Sequence, residues 1–471
     1  MYPENEFQFH KSTIQQLLQR YEAQFNTDHC TYFEEASYLQ IISYFEADHQ
    51  YSKALEASER GMDQHPLSTD LLLKHAQLLI DNLAAEAAFP FLEKARAVSP
   101  GEIEVELLYA EALIADQQTE EGFRILDFLK EEANDEDMSS ILLVEALAYE
   151  QEESYERMFY TLREALLMDP SNQAALERMG ICVVQSKKYE ESIALHEALL
   201  AEDAYQALAW YNLAQSRLYV GDYEGAIEAY DLAFTIDENF LQACRDCADL
   251  CLELQQFNQA LKYYMELLEQ EGADADSDLY IQIGQCHLRL NCPQAAVTFY
   301  IRAAQLDPLN DEIFFSIGEC YAAEGQWMNA IQYFEKAIEV EGEQEEYYAA
   351  LGEAYFNMGN TEMAVEHLEE AIALNELEAR YWILLATFLM EKGQAEAAID
   401  VLEAGMEAVP GTEILYCRIA CLFAIGQRNA ALYWLGEALQ EDFGMYPSLF
   451  ELMPDLQADG EVMAMIKNFA L

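Results

Sequence analysis

Apolar residues recur along this chain at spacings of three and four, in paired segments separated by a short polar turn. Near residue 311, Phe314, Ile317, Gly318 and Tyr321 mark one helical face. Gly325 then interrupts the pattern, and Ala330, Phe334 and Ala337 mark a second helix. The pair returns through the chain. A small residue anchors each first helix: Ala76, Ala110, Ala146, Gly180, Ala214, Ala248, Gly284, Gly318, Gly352, Ala386 and Ala420. The usual step is 34 residues, stretched to 36 between Ala110 and Ala146. One further unit precedes these, with Ile42 in the small position. Turn glycines sit at Gly221, Gly359, Gly393 and Gly426, and second helices end near Pro66, Pro100, Pro170, Pro308 and Pro410.

One such helix pair cannot bury its own apolar stripe, whereas stacked pairs share a continuous core. The pattern therefore predicts an all-α solenoid of about twelve units over residues 35–442. Residues 1–34 and 443–471 read as terminal caps. Ile14, Leu17, Leu18, Tyr21 and Phe25 form one apolar stripe for the first cap, and the tail offers two short amphipathic helices for the last.

These residues resemble the tetratricopeptide repeat (TPR) family. Its early aromatic is met by Trp210, Tyr280, Phe314, Tyr348, Trp382 and Tyr416. Its Leu-Gly pair is met by Met179-Gly180, Ile283-Gly284, Ile317-Gly318 and Leu351-Gly352, and its second-helix alanine by Ala54, Ala88, Ala226, Ala260, Ala296, Ala330, Ala364 and Ala398. The resemblance implies an α-α superhelix of 34-residue helix–turn–helix units with N- and C-terminal capping helices. The tail is similar to the ends of bacterial TPR proteins. Three irregularities stand out. The unit at 103–138 has Gly122 in place of the alanine and ends in an acidic tract, 131–137, which predicts an irregular turn. Pro90 lies inside a second helix and predicts a kink or a late start. Gly426 arrives early, which predicts a final turn one residue short.

Charge changes the picture next. The chain carries 87 Asp and Glu against 25 Lys and Arg, a net charge of −62, spread over both halves. Such a surface repels phosphate backbones and anionic lipid, so direct nucleic-acid or membrane binding is not expected. No segment reads as a signal peptide or a membrane span, and ten cysteines without a secretory signal suit a reducing, cytoplasmic setting. Excess surface acid also suits a salty cytoplasm.

No catalytic or cofactor motif is present: no His-Glu-x-x-His, no phosphate cradle and no nucleophile with a placed base. Cys244, Cys247 and Cys251 have the spacing of a buried helical stripe, and Cys417 with Cys421 is expected to edge the inner groove. The expectation is no enzyme, no cofactor and no metal.

The resemblance implies that first helices line a concave face. Its inward positions here are Tyr211 with Gln215, Arg245 with Asp249, Ile281 with Gln285, Phe315 with Glu319 and Ala349 with Glu353. Glu312 and Glu346 extend these into a stripe of four carboxylates, with Leu218, Tyr219 and Phe356 as apolar neighbours. No unit carries the Lys-and-Asn pair of a carboxylate clamp, so Hsp70/Hsp90 tails are not expected ligands; Asn212 with Arg245 is an isolated fragment. The expected function is a non-enzymatic scaffold binding a basic or amphipathic-helical protein segment in the groove. Two alternatives remain open: an acidic mimic of nucleic acid, and a self-assembling structural solenoid.

Overall fold

A computed structural model describes residues 14, 16–23, 32–131, 133–409 and 411–469. These residues form helices and turns, with no strand among them. They divide into two compact units, the first ending at Ala243 and the second starting at Cys244.

The first unit holds six helical hairpins: Glu35–Ala47 with Tyr51–Gln64, Thr69–Asp81 with Ala85–Val98, Ile103–Ala115 with Thr119–Lys130, Asp135–Gln151 with Tyr155–Met168, Gln173–Ser186 with Tyr189–Glu202, and Ala207–Val220 with Tyr223–Ile236. In the second unit, the helix Leu241–Glu253, which straddles the boundary, leads to Phe257–Glu271. Five hairpins follow: Ser277–Arg289 with Pro293–Leu306, Asp311–Ala323 with Trp327–Val340, Glu345–Asn357 with Thr361–Leu374, Ala379–Glu391 with Ala395–Ala408, and Thr412–Ala424 with Arg428–Glu441.

The turn inside each hairpin is built one way. A residue one or two positions past the first helix adopts a left-handed backbone, and in all but the Lys187 turn the next amide donates to a carbonyl five residues back. Gly325 (φ 70°) and the bond from Gln326 N to Tyr321 O at 2.8 Å are an example. Five of these turns use glycine, at Gly221, Gly325, Gly359, Gly393 and Gly426, where the absent Cβ removes the steric penalty. Seven do not: His49, Leu83, Gln117, Glu153, Lys187, Gln255 and Asn291 all have φ between 54° and 63°. Each accepts strain of about 1–2 kcal/mol because the helices on both sides fix the chain direction.

Within a hairpin the small residue of the first helix meets a large one from the second. A Cβ on Gly318 would lie 2.5 Å from the Phe334 ring, so the ring reaches the backbone only because the side chain is missing. Successive hairpins then share cores. In the first unit, Leu72, Ala76, Leu92 and Val105 close one such layer. In the second, Leu368, Leu385, Leu402 and Ile414 close another. Leu18 and Tyr21, from the helical residues 16–23, cover Tyr38 and Ile41 at the first hairpin; Phe25 lies outside the described residues. At the other end, Leu449, Leu456, Val462 and Ile466 cover Leu415, Ile419 and Leu435 of the last hairpin. They come from Pro447–Leu452, the 3-10 turn Pro454–Ala458 and Gly460–Phe469.

The irregularities resolve physically. Gly122 accommodates Ile114, whose Cγ1 would sit 2.8 Å from an added Cβ. The acidic tract is only partly a turn: the 17-residue helix Asp135–Gln151 begins within it, and Asn134 caps the Asp137 amide. A second expansion, the 36-residue step from Ala248 to Gly284, is absorbed by the longer helix Phe257–Glu271 and the 3-10 turn Gly272–Asp274. Pro90 causes no late start, since Ala85–Val98 runs through it; its exposed position leaves the freed carbonyl of Glu86 to water. The last turn is also not short. The missing residue lies before Thr412, because that helix starts 33 residues after Ala379. Ile419, not Ala420, therefore matches Ala386, and Leu415, not Tyr416, matches Trp382. Cys417 and Cys421 consequently face the core, 2% and 1% exposed, and do not edge a groove.

Cys244, Cys247 and Cys251 are buried. So are two histidines of the first unit. His75 meets the Ser58 hydroxyl at 2.7 Å. His196 donates from Nδ1 to the Ser192 carbonyl at 2.8 Å, beside the Ser192–Ser216 hydroxyl pair, and its Nε2 is buried without a partner. Burial lowers both imidazoles from 6.5 to about 4.

Two predictions follow from these features. Gln117→Gly relieves a left-handed strain and stabilises the first unit by about 1 kcal/mol, whereas Gln117→Ala does not; urea denaturation followed by far-UV circular dichroism compares them. The histidines stay neutral when folded but take up protons below 6.5 when unfolded, so their contribution is intact above that pH and fades towards 4. His75→Leu and His196→Leu each flatten the acid-side loss by about 1–3 kcal/mol relative to wild type, read from denaturation midpoints at pH 7 and pH 5.

Candidate functional site

First helices present an alternate set of positions to neighbouring first helices. In the second unit this produces a cleft of about 300 Å³ between Asp311–Ala323, Glu345–Asn357 and Ala379–Glu391. Phe315, Phe334, Trp327, Ala349 and Tyr381 give it an apolar, aromatic lining. Glu319, Glu346 and Glu353 supply carboxylates, and Arg380 closes one side. Phe315 is held in place by stacking on Tyr347 (4.7 Å between centroids), whose hydroxyl donates to Asp311. Five of the residues expected from the sequence, Phe315, Glu319, Glu346, Ala349 and Glu353, thus come together.

The carboxylates are not equivalent. Glu353 lies 3.5 Å from the Arg380 guanidinium in an exposed ion pair. Glu319 is held above the ordinary glutamate range, chiefly by desolvation; the field of Arg289 opposes this and that of Glu346 adds to it. Its proton affinity therefore reports on what enters the cleft.

The other expected residues take different places. Glu312 is exposed on Asp311–Ala323 and does not line the cleft. Phe356 stacks face to face on Phe388, with centroids 3.8 Å apart, against the hydrophobic core. Gln285 is half-buried on Ser277–Arg289 and also lies off the cleft. Arg245 pairs with Glu271 at 2.9 Å and Asp276 at 3.5 Å, and Asp249 accepts the Tyr264 hydroxyl, so both are engaged within their own unit. In the first unit, Tyr211 packs on Phe240 at 4.9 Å and accepts from the Gln215 amide at 3.0 Å. Tyr219 is half-exposed and stacks on Tyr189 at 4.7 Å.

Some lining residues escaped the sequence reading. Arg380 occupies the repeat position of Glu312 and Glu346, one step on, so the period alone pointed to it. Leu73 and Glu111 occupy the positions of Phe315 and Glu319 and line clefts of the first unit. Their signal was the same period, read too narrowly.

Family models match parts of the chain. The tetratricopeptide repeat family models match residues 207–240 and 283–345. The model of anaphase-promoting complex, cyclosome, subunit 3 matches residues 323–404. No curated protein matches the sequence. Similar solved structures include YrrB, described as a TPR protein with an unusual peptide-binding site, at 24% identity over 38% of this chain and 92% of that chain, with a TM-score of 0.34. The C-terminal part of a TPR repeat-containing protein from Cytophaga hutchinsonii is 17% identical over 54% of this chain and 99% of its own, with a TM-score of 0.43. The anaphase-promoting assembly Cut9–Hcn1 is 14% identical over 92% of this chain and 93% of its own, with a TM-score of 0.35.

The electrostatics of the cleft are directly measurable. In a carboxyl-detected NMR titration, Glu319 is expected to titrate above a free glutamate. Glu346→Gln shifts its midpoint down and Arg289→Gln shifts it up; no response to either change would remove the assigned coupling.

Proposed function

We propose that this chain, a multi-repeat tetratricopeptide-repeat protein, is a non-enzymatic scaffold that holds a basic, partly apolar protein segment on its first helices. Repeat proteins of this family are protein–protein interaction scaffolds, and the stacked hairpins here provide the extended surface that role needs. One observation carries the finer reading: the cleft where Phe315, Ala349 and Tyr381 meet Glu319, Glu346 and Glu353. An aromatic wall beside carboxylates suits a Lys or Arg side chain, which gains cation–π and charge-assisted contacts together. Net charge of −62 steers a basic partner towards this surface and makes association salt-sensitive.

The same charge disfavours direct nucleic-acid binding and docking of acidic Hsp70/Hsp90 tails. No helix among the described residues is long and apolar enough to cross a membrane. We place the protein in the cytoplasm, and the tail resemblance favours a bacterial source.

The test is capture from native lysate at low and moderate salt, by wild type and by a variant carrying Glu319→Gln, Glu346→Gln and Glu353→Gln. The expected result is a basic partner retained by wild type, weakened by salt and reduced at least about tenfold in the variant. Equal capture by both proteins refutes this site.

A further inference from the structure

Along the second unit, aliphatic side chains stand in water where the second helices end and the chain turns into the next hairpin. Three successive second helices, Pro293–Leu306, Trp327–Val340 and Thr361–Leu374, each end on an exposed aliphatic residue: Leu306, Val340 and Leu374, at intervals of 34. Three residues further on, in the turns themselves, Leu309 is 79% exposed and Leu377 is 68% exposed. Glu343 holds that place in the turn between them. The turns do not need these leucines. The backbone at Leu309 is fixed by its amide, which donates to Asp307 at 3.3 Å. In the first unit the matching turn positions carry Ser171 and Asn239. Their amides make the same bond, to Asp169 and Asp237, and their side chains donate to those carboxylates as well. Leucine can make no such bond. A run of exposed aliphatic side chains that serves neither core nor turn marks a contact surface.

The flanking charges are all of one sign. Glu339, Glu341 and Glu343 surround Val340 in sequence, and Glu376 and Glu378 stand on either side of Leu377. Among the described residues no ion pair reaches any of these five. The bases nearest in sequence are engaged elsewhere: Arg380 with Glu353 at 3.5 Å, Arg302 with the Gln305 side chain at 3.3 Å, and Lys336 over the Tyr333 ring at 4.5 Å. A second copy of this chain would bring like charge against this edge, and so would a phosphate backbone or an anionic membrane. A basic protein segment meets opposite charge.

We propose that this edge of turns docks a basic amphipathic helix of another protein, with aliphatic side chains on Leu309, Leu377 and the three helix-end residues and Lys or Arg against the flanking glutamates. The spacing selects a helix. Corresponding turns of neighbouring hairpins lie about 10 Å apart, the separation of packed helices. Residues seven apart on a helix rise about 10 Å and stay on one face. An extended chain covers that distance in about three residues, which points alternate contacts away. The surface differs from the one proposed above. It is made by turns and second-helix ends, not by inward positions of the first helices, and none of its residues lines the cleft at Phe315.

The probe is a fluorescein-labelled peptide of about 21 residues, with Leu on one heptad stripe, Lys elsewhere and a photoactivatable benzophenone at its centre. Its control has the same charge, with every Leu replaced by Gln. Fluorescence anisotropy is read against the full chain at about 0.15 M salt, where long-range attraction is screened. The leucine peptide is expected to bind at least about tenfold more tightly than the control, the yield of burying a single leucine. Its crosslinks, mapped by mass spectrometry, should fall in residues 306–309, 340–343 and 374–377. A chain carrying Leu309→Asn and Leu377→Asn, the residue that Asn239 supplies at the same turn position, should bind at least about fivefold more weakly with unchanged circular dichroism. Met328→Gln, exposed on a second helix of the same unit, should leave binding unchanged. Equal binding of the two peptides overturns the proposal, as does a doubly substituted chain that binds like wild type. Crosslinks confined to the residues around Phe315 and lost on Glu319→Gln overturn it too, while leaving that cleft standing.

Discussion

A helical hairpin standing alone leaves one apolar face in water, and within each unit neighbouring hairpins cover one another. Substantial contacts among the described residues join helices one or two places apart along the chain. Every other feature follows from that dependence. The small residue of the first helix sets how closely its partner approaches, as Gly318 does for Phe334. The ends need lids, supplied by Leu18 and Tyr21 at one end and by Leu449 and Ile466 at the other. Because side chains that build the core occupy fixed positions, the remaining positions of the first helices are free to vary.

Much of the fold was legible because the packing rule repeats. A 34-residue period in small and aromatic residues is readable without coordinates. The turns were read less completely. Glycine advertises a left-handed backbone, but His49, Leu83 and Lys187 adopt it under compulsion from the adjoining helices, and nothing in their chemistry announces it. The shortened step was misplaced for a related reason. Gly426 shows that a residue is missing, yet only the start of the helix at Thr412 shows where, and the one-residue shift turns Cys417 and Cys421 inward.

The candidate site was legible by position and not by partnership. The period located Phe315, Glu319, Glu346 and Glu353, which share a cleft. It could not show that Arg245 is held by Glu271, 26 residues away, or that Phe356 stacks on Phe388. Such pairings depend on loop length and helix tilt, which a repeat pattern does not encode. The contrast between the units, by comparison, lies in residue identity and is readable in the sequence. Aromatic residues line the cleft near Phe315 and leucines the cleft near Leu73, although the repeat positions are shared.

The dependence of each hairpin on its neighbour also sets how the molecule carries load. Within either unit the contacts run between adjacent pairs, so hairpins pulled from their ends have no central clamp to break at once. The layers give way singly, each releasing a length of chain while the rest stays folded. Either unit would therefore lengthen by whole hairpins rather than unravel in one event.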